Sequence, residues 1–214
     1  MITNYLKDFF ALFDKYNIDI YLTGGSARDF LLNKEFEDLD FATPYLTKDL
    51  INLLEIDHYD KFAINFGTLK TNILGKEVEI TTFRKEGQYS NHRRPKEIEF
   101  ITNIKEDASR RDFTINAIYI DKNFNVIDYY GGVNDLNNKV IRMIGDPYVR
   151  LKEDPVRILR AVRFSKNMGF KIEESLQKAI NNLKEELKYI SPKRLELESK
   201  KFINNKDFLD LIKW

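Results

Sequence analysis

An α+β fold is what this sequence predicts: a mixed sheet with flanking helices over residues 1–145, followed by an all-α segment over residues 146–214. Three observations predict it. Short strand-like runs punctuated by glycine and polar turns fill the first part. A glycine pair joins one of those runs to a helix-like stretch, and from about Pro147 onward the apolar spacing turns helical. With 214 residues and 43% apolar content, the chain can bury one sizeable core, or a domain plus a helical extension.

Ile2, Tyr5, Leu6, Phe9, Phe13 and Tyr16 fall on one helical face, which predicts a core-packed first helix. A strand over Ile18–Leu22 leads into Gly24-Gly25, and Phe30, Leu31 and Leu32 after Arg28-Asp29 start a helix near Ser26. Asp38-Leu39-Asp40-Phe41 reads as a short strand whose period of two puts both carboxylates on one face. Thr47 is expected to cap a helix reaching Ile56, with Leu50, Ile51, Leu53 and Leu54 buried. Strands follow near 62–66, 68–74 and 78–83, the last two joined by a tight hairpin at Gly75-Lys76. Lys85–Lys96 is polar, contains Gly87 and Pro95, and predicts a mobile loop. After it come a strand around Ile98–Ile101, a helix through Arg110, and a hairpin turning near Lys122-Asn123.

In the helical part, Asp154-Pro155 supplies an N-cap and a first-turn proline, and Gly169 a stop. Ile172, Leu176, Ala179, Ile180, Leu183 and Leu187 mark a further helix, and Ser191-Pro192 opens another. No internal repeat or low-complexity linker interrupts the pattern.

The chemistry is concentrated in residues 22–43. Gly24 and Gly25 lack a Cβ, so a polyphosphate can approach the backbone where the N–H groups of the following helix point toward negative charge, and Arg28 adds a forked cation. Asp38 and Asp40 repel one another unless a hard divalent cation neutralises them. Magnesium held by carboxylates and substrate phosphates is the expected case, and a two-metal site would clamp both oxygens of an in-line phosphoryl displacement. The implied reaction is nucleotidyl transfer. No Gly-Lys-Ser/Thr follows the glycines and no third glycine completes a dinucleotide fingerprint, which excludes those two phosphate sites.

Other classes fall away on composition. No run of about 18 apolar residues exists to span a membrane, and Met1–Phe10 carries no signal-peptide pattern, so a cytoplasmic protein is expected. Zero cysteines exclude disulfides and thiolate metal sites, and His58 and His92 alone form no zinc ligand set. The formal net charge is only +1, but arginines cluster at 84, 93–94, 110–111, 142–163 and 194. A basic groove on a balanced surface predicts RNA phosphate contacts and salt-sensitive affinity; surface ion pairs are a fair account of Arg142, Arg150 and Arg194 and a poor one of the motif arginines.

Further motifs extend the pattern: Glu79-Ile80-Thr81-Thr82-Phe83-Arg84, Arg93-Arg94-Pro95, Arg110 to Ala117 (RRDFTINA), Asp128 to Gly132, and Glu153 to Phe164 (EDPVRILRAVRF). With the glycine and aspartate segment, in this order and over roughly residues 18–200, the chain resembles the class II tRNA nucleotidyltransferases and bacterial poly(A) polymerases of the DNA polymerase β-like superfamily. The resemblance implies a polymerase β-like nucleotidyltransferase head over residues 1–145 and a helical, nucleotide-selecting neck over 146–214.

It also implies roles for matching positions. Asp38 and Asp40 would hold the metals, and Gly24, Gly25 and Arg28 would contact the triphosphate. Arg111, Asp112 and Asn116 would meet the ribose. Glu79 is a candidate third carboxylate; strand alternation lets it either assist the metal site or orient Arg84. Asp154, Arg157, Arg160 and Arg163, spaced by three, share one helical stripe. An aspartate accepts and an arginine donates, so Asp154 and Arg157 would serve as an amino-acid template for CTP or ATP. The competing interpretation is an intrahelical Asp–Arg pair worth roughly 0.2–0.5 kcal/mol. Arg93 and Arg94, in the polar loop, would couple base choice to closure, or simply face solvent.

The implied activity is addition of C, C and A to the 3′ end of tRNA. An A-adding enzyme or poly(A) polymerase is the alternative, and a non-catalytic nucleotide- or RNA-binding module the competitor from another class. Family members usually continue into a helical body and tail. The shorter chain here is expected to be a minimal form with weak, micromolar or poorer tRNA binding, or to work as a homo-oligomer or with a partner chain.

Overall fold

The computed structural model describes residues 2–87, 89–90, 94–95 and 97–212. The chain divides into two compact units, one of Met1–Lys85, Ile98–Arg111 and Asn116–Tyr130, the other of Glu86–Glu97, Asp112–Ile115 and Gly131–Trp214.

The first unit opens with α1 (Ile2–Asp14), which buries Tyr5, Leu6, Phe9, Phe10 and Phe13 as its apolar spacing requires. Tyr16 lies beyond the helix and is exposed. β1 (Tyr21–Thr23) runs directly into α2 (Gly24–Leu31), and Gly24 takes φ +63° at the junction. A residue with a Cβ is strained there, so the glycine is what allows so abrupt a change from strand to helix. β2 (Asp40–Thr43) begins two residues later than expected, leaving Asp38 in irregular backbone ahead of the strand. Phe9 stacks on Phe41 at 3.9 Å and ties α1 to the sheet.

α3 (Thr47–Leu53) starts at Thr47 itself, without a side-chain cap. The strand expected at 62–66 is instead α4 (Lys61–Ile64). Asp60 decides this, because its carboxylate accepts from the Phe62 and Ala63 N–H groups and caps a helical turn. β3 (Thr68–Ile73) and β4 (Lys76–Thr82) form the expected hairpin. Its turn residues, Leu74 and Gly75, both have positive φ, the conformation that matches strand twist in a two-residue loop.

Then come β5 (Arg84–Glu86), β6 (Tyr89–Ser90), β7 (Arg94–Pro95) and β8 (Ile98–Phe100). Within the expected loop Lys85–Lys96, β6 and β7 pair antiparallel, Tyr89 with Pro95 and Ser90 with Arg94. Arg93 and the Arg94 side chain lie outside the described residues. α5 (Ile104–Ser109) stops before Arg110, short of the expected helix through that motif; a 3-10 turn, Thr114–Asn116, follows. β9 (Ile118–Ile120) and β10 (Val126–Asp128) make the second hairpin, with the Asp121 carboxylate accepting from the Asn123 and Asn125 N–H groups in its turn.

Six strands assemble in the order β10-β9-β1-β2-β4-β3. The β2–β4 pair is parallel and the other pairs antiparallel, so the sheet is mixed. The core of this unit gathers the buried face of α1 with Leu22, Phe41, Leu69, Ile80 and Ile120 from the strands.

The second unit contains α6 (Gly132–Asn137), β11 (Val140–Ile141), α7 (Pro147–Glu153), α8 (Val156–Met168), β12 (Lys171–Ile172), α9 (Glu174–Asn182), α10 (Pro192–Ser199) and α11 (Asn205–Ile212). Asp146 caps α7 through the Val149 N–H, with Pro147 in the first turn. Gly169, at φ +69°, ends α8 as its position predicted. β11 and β12 pair parallel, two residues each, and β12 takes Ile172 out of the helix expected from Ile172 to Leu187. The side chains at the centre are apolar: Phe113 meets Phe164 edge-on at 5.8 Å, and Ile158, Leu159, Ala161, Leu176 and Ala179 are fully buried.

Candidate active site

The parallel pairing of β2 with β4 sets Asp40 directly beside Glu79. Paired residues of neighbouring strands project from the same face, so two carboxylates from distant sequence share one patch. Asp40 and Glu79 line a cavity of about 230 Å³ together with Gly24, Arg84, Arg110 and Arg111. Asp38, Asp40 and Glu79 also line a larger cavity of about 900 Å³. A third, of about 1030 Å³, joins Asp38 and Asp40 to Gly25 and Arg28. The sequence-predicted carboxylates and the glycine turn therefore meet, although Asp38 is exposed and outside the strand.

Gly24 lies tight against this patch. A Cβ on it would come within 3.2 Å of Asp40 Oδ2 and 3.7 Å of an Arg111 guanidinium nitrogen, so a side chain here would fill the gap between carboxylate and arginine. Burial first, then the Glu79 carboxylate and more weakly Asp38, push the Asp40 carboxyl up to about 6, against the opposing pull of Arg111 and Lys70. Lys70 meets Glu79 at 2.6 Å. The two roles left open for Glu79 thus differ in support: it adjoins Asp40, while one Arg84 guanidinium nitrogen donates to the Phe66 carbonyl at 2.8 Å. Among the described residues, no group of three or more acidic or histidine side chains converges on a point that could by itself hold a metal ion.

Arg28 forms a two-point contact with Asp29 at 3.0 and 2.8 Å and donates to Asn116 Oδ1 at 2.9 Å. Its guanidinium is oriented before any ligand arrives. Arg111 is held more firmly still. Its Nε donates to the Tyr119 hydroxyl at 2.8 Å, and its other nitrogens reach the Asn116 carbonyl and Asp107 Oδ2 at 3.3 Å each.

Asp107, which the sequence did not single out, is the hub of this network. It is fully buried and accepts from Arg110 Nε at 2.8 Å, the Tyr119 hydroxyl at 2.6 Å and the Arg84 N–H at 3.0 Å. Burial alone would raise its carboxyl, but Arg110, Arg111 and these hydrogen bonds outweigh it and hold the group down to about 2. An aspartate three and four residues ahead of an Arg-Arg pair was the available signal. Ser26 was missed as well. Its hydroxyl donates to the Asp38 carbonyl and accepts from the Asp40 N–H, both at 2.8 Å.

The remaining predicted residues belong to the second unit. Asp154 is not on the helix with Arg157, because α7 ends at Glu153 and Asp154 is extended, with φ −147°; the following proline disfavours helical backbone at this position. Its Oδ1 accepts from the Val156 N–H at 3.2 Å and its Oδ2 from Arg194 at 2.8 Å. The intrahelical Asp154–Arg157 pair does not form. Arg157, mostly buried, donates to the Arg150 carbonyl at 2.7 Å and to Glu153 at 2.9 Å. Arg160 donates to Asp112 Oδ2 at 2.6 Å, and Arg163 to Glu198 at 3.1 Å. Every arginine of the stripe thus engages a carboxylate. Arg142 and Arg150 form ion pairs, with Asp135 and Glu153, and so does Arg194, though its partner is Asp154.

Comparison with known proteins adds a family. A CCA-adding enzyme of Staphylococcus haemolyticus is 37% identical over 213 residues, spanning 98% of this chain and 53% of that protein. The Bacillus stearothermophilus CCA-adding enzyme, solved in complex with CTP, superposes with a TM-score of 0.81 at 31% identity, over 92% of this chain and 47% of that one. A tRNA nucleotidyltransferase solved with a primer tRNA and an incoming ATP analogue gives a TM-score of 0.69 at 32% identity, over 97% of this chain and 58% of that one. The chain spans about half the length of the curated relatives it matches. Residues 20–142, which contain the glycine turn, the acidic patch and the arginine network, match the family described as the poly A polymerase head domain, and to that family the chain belongs.

Proposed function

We propose that this chain is the catalytic head and nucleotide-selecting neck of a cytoplasmic CCA-adding tRNA nucleotidyltransferase. It would join C, C and A from CTP and ATP to the 3′ end of tRNA and release pyrophosphate. The observation that carries this reading is the small cavity whose lining brings Asp40 and Glu79 together with Arg84, Arg110 and Arg111 at Gly24. Carboxylates beside guanidiniums at a glycine turn suit a polyphosphate and a divalent cation, and relatives have been solved with CTP, with tRNA and with an ATP analogue.

Magnesium fits the residues present. The donors are carboxylate oxygens, and an Asp40 carboxyl pushed up to about 6 by burial and neighbouring carboxylates marks a place that gains from a cation. Asp38 and Asp40 would hold it, with Glu79 adjoining; fewer than three converging ligands is the usual protein share where phosphates complete the shell. When bound, it would ease ionisation of the RNA 3′-hydroxyl and offset charge at the α-phosphate.

The rest is positioning by the chain itself. Gly24 and Gly25 admit the triphosphate to the backbone, and Arg28 and Arg111, already oriented by Asp29, Asn116, Tyr119 and Asp107, offer fixed positive charge. Arg111, Asp112 and Asn116 are the ribose contacts of this proposal. Residues 146–214 act as the neck. There the Asp154 carboxylate accepts the amino group of cytosine or adenine and Arg157 donates to the ring nitrogen, while uracil and guanine turn a carbonyl toward Asp154. A good contact of this type is worth about 1–3 kcal/mol of discrimination. Arg160 and Arg163 keep positive charge beside the template.

The test is incubation of the chain and magnesium with tRNA lacking its CCA end, supplied with CTP, ATP or both, and products resolved at single-nucleotide length. Growth by two with CTP and by three with both is expected. Growth with ATP alone would replace this reading by an A-adding enzyme or poly(A) polymerase. Nucleotide binding without growth would leave a binding module.

A further inference from the structure

We propose that Ser26 is a positioning residue that sets the spacing of Asp38 and Asp40 and couples it to the glycine turn. This inference rests on the reading that these two aspartates hold a divalent cation.

At Gly24 the chain swings out of the sheet with φ +63°. The β1–β2 ladder therefore ends at Leu22 opposite Phe41, and the Asp40 N–H finds its partner outside β1. On the other side, the Leu39 carbonyl accepts from the Glu79 N–H at 2.8 Å. The Asp38 carbonyl and the Asp40 N–H, on the side facing away from β4, are instead satisfied by one atom. Ser26 Oγ donates to the first and accepts from the second, 2.8 Å each, with the residue 1% exposed. A single hydroxyl thus substitutes for a missing strand and clamps the Asp38-Leu39-Asp40 backbone. It sits on the helical turn between Gly25, where phosphate would approach, and Arg28. Alanine would remove the one side-chain atom that joins these two part-buried backbone groups and so release the clamp.

The test compares Mn²⁺ binding, by titration calorimetry in the presence of CTP, for the wild type, Ser26→Ala and two controls. Thr43 forms a similar bridge at the far end of β2, its hydroxyl donating to the Asp19 carbonyl and accepting from the Tyr45 N–H. Thr43→Val should lower stability and leave Mn²⁺ affinity unchanged, whereas Ser26→Ala should weaken Mn²⁺ binding roughly 10–100-fold, the usual cost of losing a group that orients a ligand. Equal Mn²⁺ affinity in Ser26→Ala and wild type, with binding lost in Asp40→Asn, would overturn this inference and leave the metal reading standing. If wild type binds no Mn²⁺, both fall. Should Ser26→Ala not fold, the wild type still carries the test. Exchange of the Asp40 amide hydrogen should slow when CTP and Mn²⁺ bind, and an unchanged rate would overturn the coupling.

Discussion

Replacing Asp107 by asparagine removes one charge from the centre of the arginine network while keeping the shape of the side chain. The carboxyl is held down from its ordinary 3.8 to about 2. At 1.36 kcal/mol per pKa unit, that is about 2 kcal/mol of folding free energy at neutral pH. The group is fully buried, so no solvent screening discounts it. The substitution also removes a carboxylate that both Arg110 and Arg111 engage, and removing one partner of a buried pair costs about 3–5 kcal/mol. A loss of about 2–5 kcal/mol is therefore expected, read by urea denaturation followed by circular dichroism. The sign with pH follows from a depressed carboxyl. Its contribution is complete above the unfolded value near 3.8 and disappears as the pH falls through about 2, because below that both states are protonated. The difference between wild type and Asp107→Asn should hold steady from pH 7 to about 5 and shrink below pH 4. A difference under about 0.5 kcal/mol at pH 7, or one that grows with acid, would refute the account.

Asp40→Asn should abolish nucleotide incorporation yet be at least as stable as wild type in metal-free buffer at pH 7. A carboxyl raised to about 6 makes the folded state lose stability as pH rises from about 4 to 6, and asparagine escapes that loss; a clearly lower melting temperature, or retained turnover, would contradict it. Gly24→Ala combines strain at φ +63° with a Cβ 3.2 Å from Asp40 Oδ2, so CTP affinity measured by calorimetry should fall at least about tenfold for an added cost of 1–2 kcal/mol. Arg157→Ala should relax base choice before it removes activity, by roughly 5–150-fold given about 1–3 kcal/mol per bidentate contact; unchanged discrimination among the four nucleotides would count against the template assignment.

Much of this molecule was legible because local physics decided it. The apolar stripe of α1, the glycine junction at Gly24, the β3–β4 hairpin and the Gly169 stop each rest on a rule acting within a few residues, and each appears in the structure. The misses have physical causes too. At 61–64 an Asp60 cap outweighed a strand-like run of Phe62, Ala63 and Ile64. Asp38 and Asp40 were placed on one strand by alternation, but the sheet begins only at Asp40. Asp154 was drawn onto a helix that starts two residues after it. At Asp107 the spacing to Arg110 and Arg111 signals an ion pair but not the Tyr119 hydroxyl that makes it a hub, and Ser26 carries no local signal because its partners are the Asp38 and Asp40 backbone.

The order in which the chain is made has a consequence for the first unit. β9 lies between β1 and β10 in the sheet, pairing Leu22 with Ile120 across almost a hundred residues, and the segment 112–115 assigned to the other unit interrupts the first before β9 is reached. During synthesis, then, an emerging β1 waits as an open edge until about residue 120 has left the ribosome. Cutting the gene anywhere before Ile118 would strand that edge permanently. A nascent chain stalled at residue 110 should be protease-sensitive, while one stalled late enough to release Asp128 should acquire the resistance of the finished sheet.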